Sequence, residues 1–246
     1  MKRIYTQLHL HSSYSLSDST INIDRLIKKA KKNKLKSLAI TDKLNMFAVI
    51  KFYQKCIDNK IKPIIGCEIP LKNIISNKQE GTIIALCKNY LGYKNLIKLV
   101  SEIHLEKKVN ENPAAIKDQL EMYNEGLILL TGGRKGLLGE NLLVDDFQHK
   151  RILLQSLKDI FSDRLYLQID RINANSEEIY NNKIINIAED LNLPLVATNN
   201  VLFLEKQDFD AHEVRVCINK KIKIDDRVNQ TEFTDDQFFK SEEEMT

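Results

Sequence analysis

Two histidines separated by one residue, His9 and His11 in QLHLHSSYSLSD (7–18), close an apolar run, and Asp18 follows seven residues later. In an extended chain, residues two apart share a face, so both imidazoles project one way while Leu8 and Leu10 pack the other. Imidazole nitrogens beside a carboxylate are the ligands that zinc and related divalent ions take, and the spacing therefore points to metal chemistry. The plain alternative is a pair of histidines satisfied within a core. Acids and amides recur after other apolar runs: Asp42 after SLAIT (37–41), Glu68 near the end of KPIIGCEI (62–69), Thr131 after GLILL, and Asn199 and Asn200 after LPLVAT (193–198). In parallel α/β folds the ends of such runs form the functional rim. Asp, Asn and Thr also cap following helices, and for Asp42, Thr131 and Asn199 the two readings balance.

The elements that must position these residues follow from periodicity. IYTQLHL (4–10), SLAIT, KPIIGCEI, TIIALC (82–87), GLILLT (126–131), RLYLQI (164–169) and LPLVAT read as seven strands. Between most of them, NIDRLIKKAKKN, MFAVIKFYQKCIDN, GYKNLIKLVSEIHLEKK, HKRILLQSLKDIFS and SEEIYNNKIINIAEDLN repeat apolar residues at three and four, as amphipathic helices do. Alternating strands and helices predict a parallel sheet in an α/β barrel or doubly wound fold. TGGRKGLLG meets neither the dinucleotide nor the Walker spacing, so a strand-to-helix turn is the better reading of its glycines.

Composition narrows the class. With 43% hydrophobic and 29% charged residues over 246 positions, the chain can bury one sizeable core. A formal charge of +3, with 37 basic against 34 acidic residues spread along the chain, makes no case for a nucleic-acid partner. The most basic stretch, RLIKKAKKNKLK (25–36), keeps Leu26, Ile27 and Ala30 at helical spacing, so its lysines should line a solvated face. It lacks the interleaved aromatics on which single-stranded bases stack. Cys56, Cys67, Cys87 and Cys217 stand far apart, as reduced buried thiols rather than a zinc ribbon. MKRIYTQLHL has no signal-peptide core, and no run approaches the roughly 20 apolar residues of a membrane span, so a cytoplasmic location is expected.

Taken in order, QLHLHSSYSLSD, LAITDKLNMFAVIKFY (38–53), IKPIIGCE (61–68), NYLGYKNLIKLVS (89–101), NEGLILLTGGRKG (124–136), LPLVATNNVLFL (193–204), FDAHEVRVCI (209–218) and SEEEM (241–245) resemble the PHP (polymerase and histidinol phosphatase) domain of bacterial DNA polymerase III alpha subunits. The resemblance implies an α/β fold, a distorted seven-stranded β/α barrel over residues 1–220, with 221–246 starting a connection to a polymerase palm. Active members hold up to three metal ions on nine histidine, acidic and cysteine ligands and act as phosphoesterases, some as 3′–5′ exonucleases. Four of those positions keep their donors here: His9, His11, Asp18 and Glu68. The other five are Lys43, Thr82, Gly133, Asn200 and Leu202, none a match to the family pattern.

Bridging acids and imidazoles are what hold two or three cations close enough to hydrolyse a phosphoester. The four surviving residues are therefore expected to be vestigial, holding at most one divalent ion, zinc or manganese, with no catalytic residue assigned. The resemblance then implies a catalytically silent scaffold that supports the polymerase core and docks a proofreading exonuclease subunit. DNA and magnesium would be bound mainly by polymerase regions outside this stretch, and no membrane partner is expected. The competing expectation is a phosphoesterase or exonuclease working on the reduced site. Ser241-Glu242-Glu243-Glu244 is a capping box that opens a helix, suggesting a continuing polypeptide.

Overall fold

The computed structural model describes residues 5–16, 18–72, 79–106, 112–139, 147–225 and 233–245. These divide into two compact units, one comprising residues 1–65, 171–175 and 199–246, the other 66–170 and 176–198.

In the first unit, α1 (Ile23–Lys32) begins where the Asn22 side chain accepts from the Asp24 and Arg25 N–H groups, satisfying donors that a helix start leaves open. Its buried face is Ile23, Leu26, Ile27 and Ala30, so the lysines do take the solvated side. β1 (Ser37–Ile40) pairs in parallel with the first half of β2 (Lys62–Lys72), and α2 (Val49–Asp58) connects them. Leu10, Leu38, Ile40, Phe52, Val201 and Phe239 belong to one apolar cluster in this unit. α7 (Phe209–Lys220) and the short α8 (Glu242–Met245) complete it. The capping box forms: Ser241 N–H donates to the Glu244 carboxylate at 2.7 Å, and Glu244 N–H donates to Ser241 Oγ at 3.3 Å.

The second unit takes up β2 from Gly66 and adds β3 (Gln79–Cys87), β4 (Leu127–Leu130), β5 (Leu165–Asp170) and β6 (Leu195–Thr198). Helices α3 (Tyr90–Leu105), α4 (Lys117–Tyr123), α5 (Phe147–Phe161) and α6 (Glu177–Leu191) alternate with the later strands. Strand order follows the sequence, β1 to β6.

Two expectations are corrected. The sheet is mixed, because β3 runs antiparallel to both β2 and β4; only six residues separate β2 from β3, too few for the crossover that a parallel pair requires. Six strands stand among the described residues, not seven. The predicted strand over 4–10 is reduced to two bridges, Gln7 with Leu38 and Leu10 with Val201, since Leu10 N–H donates to the Thr41 hydroxyl at 2.9 Å instead of to a backbone carbonyl. Of the four thiols, Cys87 is only partly buried, and all four are free. No helix among the described residues is long and apolar enough to cross a membrane.

His212 on α7 is fully buried, its ring edge-on to Phe233 at 4.9 Å and tilted against Phe203. Its Nε2–H donates to the Asp18 carbonyl at 3.0 Å. Burial, opposed in part by that hydrogen bond, pushes the imidazole down to about 4. A group that resists protonation only when folded costs stability as the unfolded chain takes up its proton. Stability should therefore be unaffected by His212 above pH 6.5, fall as pH drops from 6.5 towards 4, and level off below that, by on the order of 3 kcal/mol in all. Urea unfolding at several pH values checks this: the loss over that window should shrink in His212→Leu.

Candidate functional site

His9 and His11 are held by backbone pairing with Val201. Val201 N–H donates to the His9 carbonyl and His11 N–H donates to the Val201 carbonyl, each at 3.0 Å. Leu10 between them is wholly buried, and the two imidazoles share the opposite face with ring centroids 5.4 Å apart. Both rings are buried. The Ser19 hydroxyl, donating to the His11 or Leu202 carbonyl at 2.7 and 2.8 Å, ties the following loop to the same pair.

The serines of that loop donate to a buried acid. Asp42, just past β1, accepts from Ser12 N–H at 2.6 Å, Ser12 Oγ at 2.7 Å and Ser15 Oγ at 2.7 Å. A carboxylate with three donors is stable in a buried position without a cation. Asp18 lies 3.5 Å from the Lys43 ammonium, with side chains 23% and 39% exposed. Lys43 thus sets a fixed positive charge beside that carboxylate.

Glu68 is buried on β2 in the second unit, opposite Ile84 of β3. Among the described residues, His9, His11 and Glu68 are buried and offer donor atoms that could hold an ion; Asp18 is engaged with Lys43.

Other residues at and after the strands have close local neighbours. Gly133 follows β4 at φ +69°, and a Cβ there would meet Asp170 Oδ2 at 2.0 Å. A cysteine cannot sit at this place without displacing that carboxylate. Thr82 lies within β3, opposite Pro70 of β2. Asn199 donates its amide to the Phe238 carbonyl at 2.6 Å, and Leu202 is buried. Thr131 Oγ1 accepts from Gln168 N–H at 3.0 Å. Asp42, Thr131 and Asn199 thus spend their side chains on neighbouring loops and strands.

Asp170 was missed in the sequence. It ends β5, is buried, and accepts from Thr198 Oγ1 at 2.8 Å, Gln168 Nε2 at 3.1 Å and Arg134 N–H at 3.2 Å. Its signal was the one that exposed Asp42: an acid directly after an apolar, β-branched run.

Comparison with known proteins places this geometry. The PHP domain family pattern matches residues 7–172. The DNA polymerase III subunit alpha of Haemophilus influenzae is 32% identical over 241 residues, 98% of this chain and 21% of that protein. Those of Buchnera aphidicola and Escherichia coli K12 are each 35% identical, over 243 and 241 residues, again with 98% and 21% covered. The chain therefore spans about a fifth of the length of these curated relatives. Among solved structures, a protein assigned as a metal-dependent phosphoesterase from Bifidobacterium adolescentis matches with a TM-score of 0.51 at 12% identity, covering 79% of this chain and 86% of its own. An amidohydrolase from Chromobacterium violaceum, bound to sulfate and without metal, gives 0.52 at 10%, covering 80% and 87%. At such identity these two share the fold alone.

A cysteine at position 133 should fail structurally. Gly133→Cys combines a left-handed backbone with a clash on a buried carboxylate, and is expected to lower unfolding stability by about 2 kcal/mol or more. Gly133→Ala should cost a similar amount, which urea titration of the three proteins will compare.

Proposed function

Since the chain belongs to the PHP domain family, we propose that it works as the PHP domain of a DNA polymerase III alpha subunit in chromosomal DNA replication, a catalytically silent scaffold that supports the polymerase core and docks a proofreading exonuclease subunit. The observation that carries this reading is the Lys43 ammonium beside Asp18. A cation fixed on the protein raises the electrostatic cost of bringing a second one to the same carboxylate. With Asp42 spent on Ser12 and Ser15, the first unit keeps two histidines for a metal that needs three or four protein ligands. His9, His11, Asp18 and Glu68 are on this reading the remains of a multi-metal site, and one zinc or manganese ion is the most they hold.

On the same reading, residues 221–246 open the connection towards the palm. DNA and magnesium are engaged mainly by regions outside this stretch, and a cytoplasmic location follows from the role.

A second reading is a phosphoesterase or 3′–5′ exonuclease on the reduced site. The buried donors of His9, His11 and Glu68 favour it, as does the fold shared with a metal-dependent phosphoesterase.

Metal analysis after dialysis against zinc or manganese separates the two. At most one ion per chain and no chelator-sensitive hydrolysis of a phosphoester or oligonucleotide are expected; two or more ions, or hydrolysis lost in His9→Ala or Glu68→Gln, would decide for the enzyme. Lys43→His frees Asp18 and should raise zinc affinity about tenfold or more, the scale on which metal-site partners act. Unchanged affinity would remove the ion pair as the cause. Binding to the exonuclease subunit should survive His9→Ala in a direct titration.

A further inference from the structure

NYLGYKNLIKLVS (89–101) is a motif that neither the metal ligands nor the sheet accounts for. It forms the first three turns of α3, and its buried side is Gly92, Leu96, Leu99 and Val100. The other side is a continuous solvent-facing stripe. Tyr90, Lys94 and Lys98 follow one another at four-residue steps, about 6 Å each along the axis. Tyr90 is 72% exposed, and its ring stacks offset on Tyr93 with centroids 6.2 Å apart and planes 29° from parallel. The Lys94 ammonium lies 5.2 Å from the Tyr90 ring centroid. Lys88, just before the helix, is exposed as well. Among the described residues no ion pair engages Lys88, Lys94 or Lys98.

The platform is rigidly mounted. The Asn89 side chain accepts from Gly92 N–H at 2.9 Å, and Lys88 N–H donates to the Gly126 carbonyl at 2.9 Å. Gly92 approaches Gly126 so closely that a Cβ on it would lie 1.9 Å from the Gly126 carbonyl oxygen. Tyrosines on this first turn are thus presented with little backbone entropy left to lose on binding.

We propose that Tyr90 and Tyr93, with Lys88, Lys94 and Lys98, form a contact site for single-stranded nucleic acid. The exposed Tyr90 ring, with the half-buried Tyr93 stacked against it, offers stacking surface to unpaired bases of any sequence, and unpaired ammonium groups at helical steps track the phosphates. An acidic peptide would use the lysines but has no need of paired rings. The basic face of α1 has the complementary defect: Arg25, Lys28 and Lys32 stand in a row without an aromatic, across an open groove from Glu205, Glu243 and Glu244. Two acids lie nearby in the chain: Glu102, one turn after Lys98 on α3 and hydrogen-bonded by the Tyr123 side chain, and Glu125, whose carbonyl accepts from the Asn95 amide at 2.9 Å; against three lysines they leave the patch positive.

The test uses the whole 246-residue chain and a fluorescein-labelled oligothymidylate, read by anisotropy across a salt series. Binding should be measurable at low salt, with a log–log salt slope of about −2 for three phosphate contacts. Tyr90→Ala with Tyr93→Ala should weaken it about tenfold or more, while Tyr90→Phe should keep it. Lys94→Gln with Lys98→Gln should flatten the slope, and a duplex of equal length should bind more weakly. Binding that is indifferent to the tyrosines, equal for heparin, or abolished by Lys28→Gln with Lys32→Gln alone would overturn the proposal. So would preferential capture of an acidic peptide by the same lysines, or no binding at low salt by chains whose circular dichroism is unchanged.

Discussion

Every buried carboxylate in this fold must be given donors or a counter-charge, and that requirement organises the ends of the strands. An ionised carboxylate removed from water costs several kcal/mol unless hydrogen bonds or a cation replace its hydration. Here Asp42 takes three donors from Ser12 and Ser15, Asp18 takes Lys43, and Asp170 takes Thr198, Gln168 and the Arg134 amide. In a working metal centre the ion meets that need. In this chain the protein meets much of it alone, and the loops that do so are fixed in place as a result.

The same network explains why histidine geometry alone is a poor guide to activity. His9 and His11 are set by the Val201 backbone pairing and by Leu10 in the core, neither of which involves a metal. An arrangement of that kind persists after its partners change, because packing, rather than coordination, specifies it. What such a pair can do depends on the residues beside it, such as Lys43 next to Asp18.

The regular elements were legible because periodicity reports them directly: Ile23, Leu26, Ile27 and Ala30 do form the inner face of α1, and β1 through β6 fall within a few residues of their apolar runs. The direction of β3 and the loss of the first strand to isolated bridges were not, since a strand's partners are chosen by connection length and by side chains such as Thr41 that compete for its N–H groups. For the site, residue type marked His9, His11, Asp18 and Glu68 but not their present partners. That Asp18 faces Lys43, or that Asp170 fills the space beside Gly133, depends on side chains far apart in the sequence or on a backbone angle that no pattern displays.

The magnitudes show that internal bonds to a buried carboxylate can match what a bound ion contributes to the fold. A ligand at a hundred times its dissociation constant stabilises the folded state by about 3 kcal/mol. One hydrogen bond to a charged group contributes about 1.5–3 kcal/mol net. The serine donors on Asp42 are therefore of the same order as the stabilisation that a bound ion gives, and the Lys43 pair adds a smaller, partly screened amount to Asp18. Once such internal bonds exist, each further ligand becomes free to change, because no buried charge is orphaned by its loss. An ion that sought Asp42 would first have to break the bonds that hold the 12–15 loop to the end of β1.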